Sequence, residues 1–407
     1  MAGFSFFISK RLRSKGGTDF SSLITKIAIG SVAIGLAVMI ASALIFKGFK
    51  QVIQDKIFAN AGHIQVNRFD LNKSYEEMPI STESEIYQNS QAIDDNIASV
   101  QRYSRKAALL KSNEEVMGVM LKGVYTDFDT LRFKKNIVEG RWLDFSDSTY
   151  SNEILISQKI ANKMFLHVGD EVIMAFIQDP PRLRKLQVKG IYHTGIEDFD
   201  NLLILGDVRL IQRLNNWPDT LVGGFEVFLK DFDKLDESYE HIYNTIDYDL
   251  YPEKVTDTYV HFFDWFVILN RNVLIVSIII LVVASFNIIS IMIIMIMERT
   301  PMIGTLKALG ANNWQVQKIF IFNGIRLIAK GLFWGNIIGL GFGFLQHQFR
   351  LIPLDPENYY MEVVPVYFDW TLVILMNLLI TLVVSIVLVF PTMIISRVEP
   401  IKAIKFD

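Results

Sequence analysis

Four long runs of nearly unbroken apolar residues stand out along the chain: Leu23–Phe46, Leu274–Met297, Ile325–Leu345 and Thr371–Ile395. A bilayer core roughly 30 Å thick takes about 20 residues of helix to cross. Each run is therefore predicted to be a membrane span, one near the N-terminus and three crowded into the last third. Between the first and second spans the pattern changes to short alternating and amphipathic stretches. Gly62-His63-Ile64-Gln65-Val66-Asn67 alternates as a strand does, Glu83–Ile97 reads as helix, and Ala98–Leu110 and Val116–Val124 read as strands. A compact unit follows: strand Glu153–Ile156, helix Ser157–Phe165, a turn at Gly169-Asp170 and strand Glu171–Ile177. Gln178-Asp179-Pro180-Pro181-Arg182 breaks the pattern, because paired prolines cannot sit inside a central strand. Strand Leu186–Tyr192, helix Asp207–Leu214, strand Phe225–Leu229 and helix Phe232–Ile246 complete this region. From about Thr256 one continuous helix is expected to run through Phe262, Phe263, Trp265 and Phe266 into the second span.

The fold class that follows is a membrane protein of four transmembrane α-helices, with a large α+β periplasmic domain inserted between the first and second. Its parts are residues 1–47 (an amphipathic lead-in and the first span), 48–260 (the external domain) and 261–407 (three spans and a C-terminal tail). Charge gives the orientation. Residues 51–260 hold 34 acidic and 23 basic side chains, a net of −11, while the remainder carries +8. Lys10, Arg11, Arg13, Lys15 and Lys26, then Arg299, Lys307, Lys318, Arg326 and Lys330, then Arg397, Lys402 and Lys405 all flank span ends that share one side. Short loops rich in Lys and Arg stay in the cytoplasm, so both termini and the 298–324 loop are expected inside, with 48–260 and 346–370 outside. Ala41-Ser42-Ala43 has the form of a signal-peptidase site. The basic lead-in and long apolar run favour an uncleaved span. With no cysteine the external domain must be held by its own core.

Several chemistries are missing. No G-x-x-x-x-G-K-[ST] phosphate loop occurs, the six histidines lack zinc spacing, and no G-x-S-x-G is present. His63, within a predicted strand, is read as an ordinary buried or polar residue rather than a ligand. Neither a catalytic site nor a metal site nor a cofactor is expected in this chain, and no nucleic-acid partner.

The sharpest motif is Glu298-Arg299-Thr300-Pro301-Met302-Ile303-Gly304-Thr305-Leu306-Lys307-Ala308-Leu309-Gly310-Ala311. Thr300 is predicted to cap a helix that starts at Pro301 and ends at Gly310, with Ile303, Leu306 and Lys307 on one face. These residues resemble the E-R-x-x-E-I-G-x-L-K-A-x-G segment of the FtsX-like ABC-transporter permeases, and Pro391–Ile404 resembles that family's closing motif. Met302 stands where the family commonly carries Glu. Phe7–Lys15, Gly48–Ile57, Gly62–Val66, Val168-Gly169-Asp170, His193-Thr194-Gly195, Asp200 and Gln212-Arg213-Leu214 resemble, in order, the lipoprotein-releasing group of that family.

The resemblance implies a non-catalytic permease subunit in the bacterial inner membrane, which would release acylated lipoproteins to a periplasmic carrier. It implies as partners a cytoplasmic ATPase holding ATP and Mg, a second permease protomer (self or paralogue), the lipoprotein cargo, the carrier and membrane lipids. Glu298, Arg299, Ile303, Gly304, Leu306, Lys307 and Gly310 would couple to the ATPase. Ala43, Leu44, Phe46, Phe266 and Leu269, on the outer halves of the first two spans, would line the cargo's lipid path, and Pro180, Pro181 and Arg182 would contact the carrier through a short hairpin. Gly331, Gly335, Gly339 and Gly343 form a smooth stripe for helix packing, within the chain or between subunits. Asn323, Arg326 and Lys330 at the cytoplasmic end of the third span are explained by snorkelling. Two alternatives share the scaffold: the permease of a tripartite drug or peptide exporter, and a signalling regulator of cell-wall hydrolases.

Overall fold

The computed structural model describes residues 19–69, 77–112, 115–146 and 150–397. The amphipathic lead-in, with Lys10, Arg11, Arg13 and Lys15, and the tail beyond 397, with Lys402 and Lys405, lie outside these residues. The longer helices are α1 (Asp19–Asn60), α2 (Gln158–Met164), α3 (Val208–Asn215), α4 (Leu235–Thr245), α5 (Val260–Glu298), α6 (Thr300–Ala308), α7 (Asn313–Phe349) and α8 (Trp370–Thr392). The strands are β1 (Ile64–Arg68), β2 (Ile80–Ser81), β3 (Ile97–Lys111), β4 (Val116–Val124), β5 (Ile137–Gly140), β6 (Glu153–Ser157), β7 (Glu171–Phe176), β8 (Arg182–Tyr192), β9 (Leu203–Asp207), β10 (Leu221–Val222), β11 (Gly224–Leu229) and β12 (Leu250–Lys254).

The chain divides into two compact units. One comprises 1–51, 265–354 and 362–407; the other comprises 52–264 together with 355–361. In the first, α1, α5, α7 and α8 are each long and apolar enough to cross a membrane. They share a core of Val32, Leu36, Ile40, Met292, Phe320, Val384 and Leu388. Polar side chains tie the helices in pairs: Asn287 donates to Ser31 Oγ at 2.6 Å, and Asn336 and Asn377 exchange amide hydrogen bonds at 2.7 and 3.0 Å. In hydrocarbon such bonds hold helices together where the hydrophobic effect cannot. Lys47 pairs with Asp369, whose carboxylate also caps α8 by accepting from Leu372 N–H.

The second unit is built on a ten-stranded mixed sheet in the order β12-β1-β11-β3-β4-β9-β6-β8-β5, with β7 paired to both β3 and β8. β3 is long enough to serve two cores. Its first half pairs with β11, beside a core of Ile64, Val66, Phe225, Val227 and Ile242. Its second half pairs with β4 and β7, beside a core of Leu121, Ile154, Ile160, Met174, Val188 and Leu210. β4 and β9 run parallel, and β9 is buried along its whole length, as parallel strands covered on both faces are.

Four sequence expectations need correction. Glu83–Ile97 is two one-turn helices, Glu85–Gln88 and Ser90–Ile93, joined at Asn89 with φ −140°, and Ile97 belongs to β3. Asn and Ser side chains compete with the helical backbone there. The strand after the prolines starts at Arg182 rather than Leu186, because a proline immediately before a strand removes no ladder bond. Helix Phe232–Ile246 opens as a 3₁₀ turn, Phe232–Lys234, before α4. The helix expected to be continuous from Thr256 is interrupted: a single turn, Val255–Thr258, ends at Tyr259 (φ −111°, ψ 43°), and α5 begins at Val260. Two threonines weaken that turn, and the Tyr259 ring packs edge-on against Phe199 at 5.5 Å.

Candidate functional site

The candidate coupling element is α6. Its N-cap position is Arg299, with Pro301 in the first turn. Thr300 does not cap the helix as expected, since its hydroxyl donates back to Ile296 O at 3.2 Å, in the last turn of α5. The C-terminus does follow the sequence expectation. Gly310 has φ +93°, its N–H reaches Lys307 O at 3.0 Å, and Ala311 N–H reaches Leu306 O at 3.0 Å. This pair of bonds is the Schellman arrangement that favours glycine. Ile303 and Gly304 are fully buried, Leu306 is half-buried against the same core, and Lys307 donates to Ile395 O at 2.7 Å. That face therefore holds α6 to its own unit. The positions turned to solvent are Glu298, Pro301, Thr305, Ala308, Leu309 and Gly310, with Leu309 80% exposed and Arg299 intermediate.

The glycine stripe of α7 packs within the chain. A Cβ on Gly331 would lie 2.7 Å from Val32, on Gly335 2.9 Å from Ala33 O, on Gly339 3.0 Å from Ala37 Cα, and on Gly343 3.1 Å from Leu44 Cδ1. The stripe is the surface that lets α1 approach closely. Leu44, expected on the lipid path, is thereby fully buried against Gly343. Ala43 and Phe266 are also buried, whereas Phe46 and Leu269 are half-buried. The first half of α5 leaves Val267, Ile268, Leu274, Ile275, Ile278 and Ile279 exposed. Asn323, Arg326 and Lys330 are all half-buried.

Pro180 and Pro181 form the exposed turn between β7 and β8, with Asp179-Pro180 in the cis form. Arg182 donates to Arg213 O at 3.0 Å and to Asn216 Oδ1 at 3.2 Å, so its guanidinium secures the hairpin to the end of α3.

The external motifs prove to stitch loops. Asp200 accepts from Thr194 N–H (3.1 Å), Thr194 Oγ1 (2.8 Å) and Gly195 N–H (2.8 Å), and His193 Nδ1 lies 3.3 Å away. Burial pushes this carboxyl up, but the hydrogen bonds outweigh it and hold the group below the usual range. Gly195, at φ +73°, leaves room for the Lys56 ammonium, which donates to Tyr360 O at 2.6 Å. Gln212 reaches Asp219 O and Leu221 O. His63 is buried among Phe58, Phe228 and Phe232, and its Nδ1 accepts from Leu229 N–H at 2.7 Å. Burial, helped by the Arg132 charge, lowers its pKa to about 4, so it is neutral and structural.

One cluster escaped the sequence reading. Lys122, almost fully buried on β4, donates to both carboxylate oxygens of Glu226 at 2.7 and 2.9 Å and to Asn60 O at 2.5 Å. Its ammonium thus caps the C-terminus of α1, where a cation meets the negative end of the helix dipole. Lys122 sits in an ordinary strand pattern and its partner Glu226 lies on β11. No local signal could have paired them.

Comparison with known proteins bears on the whole chain. Residues 25–237 match the family described as the MacB-like periplasmic core domain, and residues 274–400 match the FtsX-like permease C-terminal family. The lipoprotein-releasing system transmembrane protein LolC of Neisseria meningitidis serogroup B is 22% identical over 428 residues, covering 97% of each chain. LolC of Haemophilus influenzae is 22% identical over 99% of each, and LolE of the same organism 24% identical over 82% of this chain and 81% of its own. Among solved structures, the periplasmic region of MacB from Actinobacillus actinomycetemcomitans aligns with a TM-score of 0.34 at 14% identity, covering 51% of this chain and 95% of that one. That score is too low to carry an argument. The MacB-like match alone spans more than half of the sequence: the chain belongs to the FtsX-like permeases that carry a MacB-like periplasmic core domain.

Proposed function

We propose that this protein is the permease subunit of an ABC complex that releases acylated lipoproteins from the bacterial inner membrane to a periplasmic carrier. The observation that carries the reading is the likeness to LolC proteins over 97–99% of both chains, external domain and apolar helices alike. In this reading both termini and α6 face the cytoplasm, residues 48–260 face the periplasm, and the α1, α5, α7 and α8 helices cross the membrane. ATP and Mg bind a separate ATPase, which pushes on the solvent-facing side of α6 while Ile303 and Gly304 fix that helix to its own unit. A second permease protomer, self or paralogue, completes the complex.

The cargo's acyl chains enter along the outer half of α5, past Phe46, Phe266 and Leu269, where the exposed Val267, Ile268, Leu274 and Ile275 offer apolar surface to lipid or cargo. Leu44 acts as packing against α7. Withdrawing acyl chains from the bilayer costs about 0.8 kcal/mol per CH₂, which is the physical reason for recruiting ATP hydrolysis. The Pro180-Pro181 turn is the candidate carrier contact. Spheroplasts depleted of this chain should retain mature acylated lipoproteins on the inner membrane despite added carrier; unimpaired release on depletion would refute the reading.

A second reading, the permease of a tripartite drug or peptide exporter, draws on the MacB-like match over 25–237. It is tested by the same cells: raised drug sensitivity with normal lipoprotein release would favour it.

A further inference from the structure

Beside the Lys122–Glu226 pair, within the unit formed by 52–264 and 355–361, lies a cavity of about 320 Å³. Its wall is chemically divided. Met120, Phe199 and Leu203, all buried, form an apolar side, and the exposed Leu202 and Asp198 mark the mouth. The polar side holds Arg105, Glu77, Lys122 and Asn60. Two of these groups have unused hydrogen-bonding capacity. Asn60 is only 4% exposed, and while its amide nitrogen donates to Lys56 O at 3.0 Å, its Oδ1 accepts from no partner among the described residues. Arg105 uses its backbone N–H on Glu77 Oε2 at 2.7 Å, and its guanidinium stacks over Tyr103 at 4.7 Å without a side-chain hydrogen bond among the described residues.

A buried orphan acceptor is costly, and a guanidinium is built for two-point recognition of a carboxylate. The Glu77 and Glu226 carboxylates act on the Arg105 charge from nearby, but among the described residues neither side chain hydrogen-bonds its guanidinium. An occupant that uses both free groups supplies an N–H donor to Asn60 Oδ1 and an acceptor anion to Arg105, with a small apolar group for the Met120–Leu203 wall. Acyl chains cannot do so, and inorganic phosphate lacks the apolar group. A stretch of peptide supplies all three from two adjacent residues: a backbone N–H, an acidic side chain and an aliphatic neighbour.

We propose that this cavity is a peptide subsite of the external domain, which takes an acidic side chain of the transported polypeptide on Arg105, a backbone N–H on Asn60 Oδ1 and an aliphatic side chain on the Met120–Leu203 wall. The proposal rests on the reading that the cargo is a lipoprotein, and it names the part of that cargo recognised outside the membrane. Because Asn60 ends α1 and is held by Lys122, an occupied subsite bears directly on the end of the first long helix.

The test uses the full chain purified in detergent and two fluorescein-labelled capped peptides, Ala-Asp-Leu-Ala and Ala-Lys-Leu-Ala. Fluorescence polarisation should show the acidic peptide binding at least tenfold more tightly. Arg105→Gln should remove that preference, with Arg105→Lys restoring part of it. Leu202→Asp, at the exposed mouth, should weaken the acidic peptide about tenfold without shifting the thermal midpoint. Equal binding of both peptides, indifference to Leu202→Asp, or complete competition by free glutamate would each overturn the proposal. Release of a lipoprotein carrying Asp or Lys near its acylated cysteine separates the two claims. Release of both forms with no peptide preference sinks the subsite alone. No release of either, with selective peptide binding intact, sinks the lipoprotein reading and leaves a peptide-binding exporter.

Discussion

Placing alanine at successive glycines of α7 should give a graded series, because the space beside each glycine differs. Gly→Ala inside a helix gains about 0.5–1 kcal/mol from reduced backbone entropy. Against this stands overpacking, which costs about 1–3 kcal/mol when a neighbour cannot yield. Gly341 has nothing within 4 Å of the position an added methyl would take, so Gly341→Ala should stabilise by up to about 1 kcal/mol. At Gly343 the nearest atom is the terminal methyl of Leu44 at 3.1 Å, which can rotate aside, and the two effects should nearly cancel. At Gly335 and Gly339 the new methyl meets backbone of α1, Ala33 O at 2.9 Å and Ala37 Cα at 3.0 Å. The helices themselves would have to separate, for a net loss of about 0.5–2 kcal/mol. Gly331→Ala, 2.7 Å from the branched Cβ of Val32, should be the worst. Thermal unfolding of the full chain in detergent, with one variant per position, gives the order directly. A flat series, or Gly341→Ala as the most damaging change, would refute the packing of α7 on α1.

Further outcomes follow from the external domain and from α6. Lys122→Met strands the Glu226 carboxylate in the interior and should cost about 3–5 kcal/mol, most of it recovered in Lys122→Met/Glu226→Leu, as denaturant unfolding can measure. Burial raises the Glu77 pKa from 4.5 to about 7, against the opposing pull of Arg105 and Lys122, so its contribution to stability is present below pH 4.5 and lost as pH rises through 7. His63, lowered from 6.5 to about 4, contributes stability above pH 6.5 that is lost as pH falls toward 4, so the two slopes oppose each other between pH 4.5 and 6.5. Glu77→Gln should therefore gain on the natural protein between pH 4.5 and 7, by no more than about 3 kcal/mol; melting curves in which the gap stays constant with pH would contradict this. If the solvent-facing side of α6 meets the ATPase as proposed, Leu309→Asp, at the exposed C-cap of α6, should abolish stimulation of the ATPase with an unchanged thermal midpoint, whereas Ile303→Asp, in the core, should lower the midpoint itself.

The apolar runs made the four long helices legible, and alternation did the same for β1, β3 and β4, because these signals are local. The end of α6 was equally readable, since Gly310 occupies a left-handed position that other residues resist. Its start was not: the Thr300 hydroxyl donates to Ile296 O in the preceding helix, and the N-cap position falls at Arg299. β9 and β12 went unread because Leu203–Asp207 and Leu250–Lys254 are short, and their partners, β4 and β1, are distant in sequence. The Glu298–Ala311 motif was found as a string of residues, but only the structure divides it into a buried face and an exposed one. The Lys122–Glu226–Asn60 cluster joins three separate elements, and neither periodicity nor composition carries that information.

The central claim is tested most directly in proteoliposomes holding this chain, its second permease protomer and the ATPase, loaded with a lipoprotein in acylated and unacylated forms. On addition of ATP and soluble carrier, acylated lipoprotein should move to the carrier fraction, and an ATPase unable to hydrolyse ATP should leave it in the membrane. ATP-dependent transfer that ignores acylation, or no transfer of acylated lipoprotein by an assembled complex that hydrolyses ATP, would contradict the account.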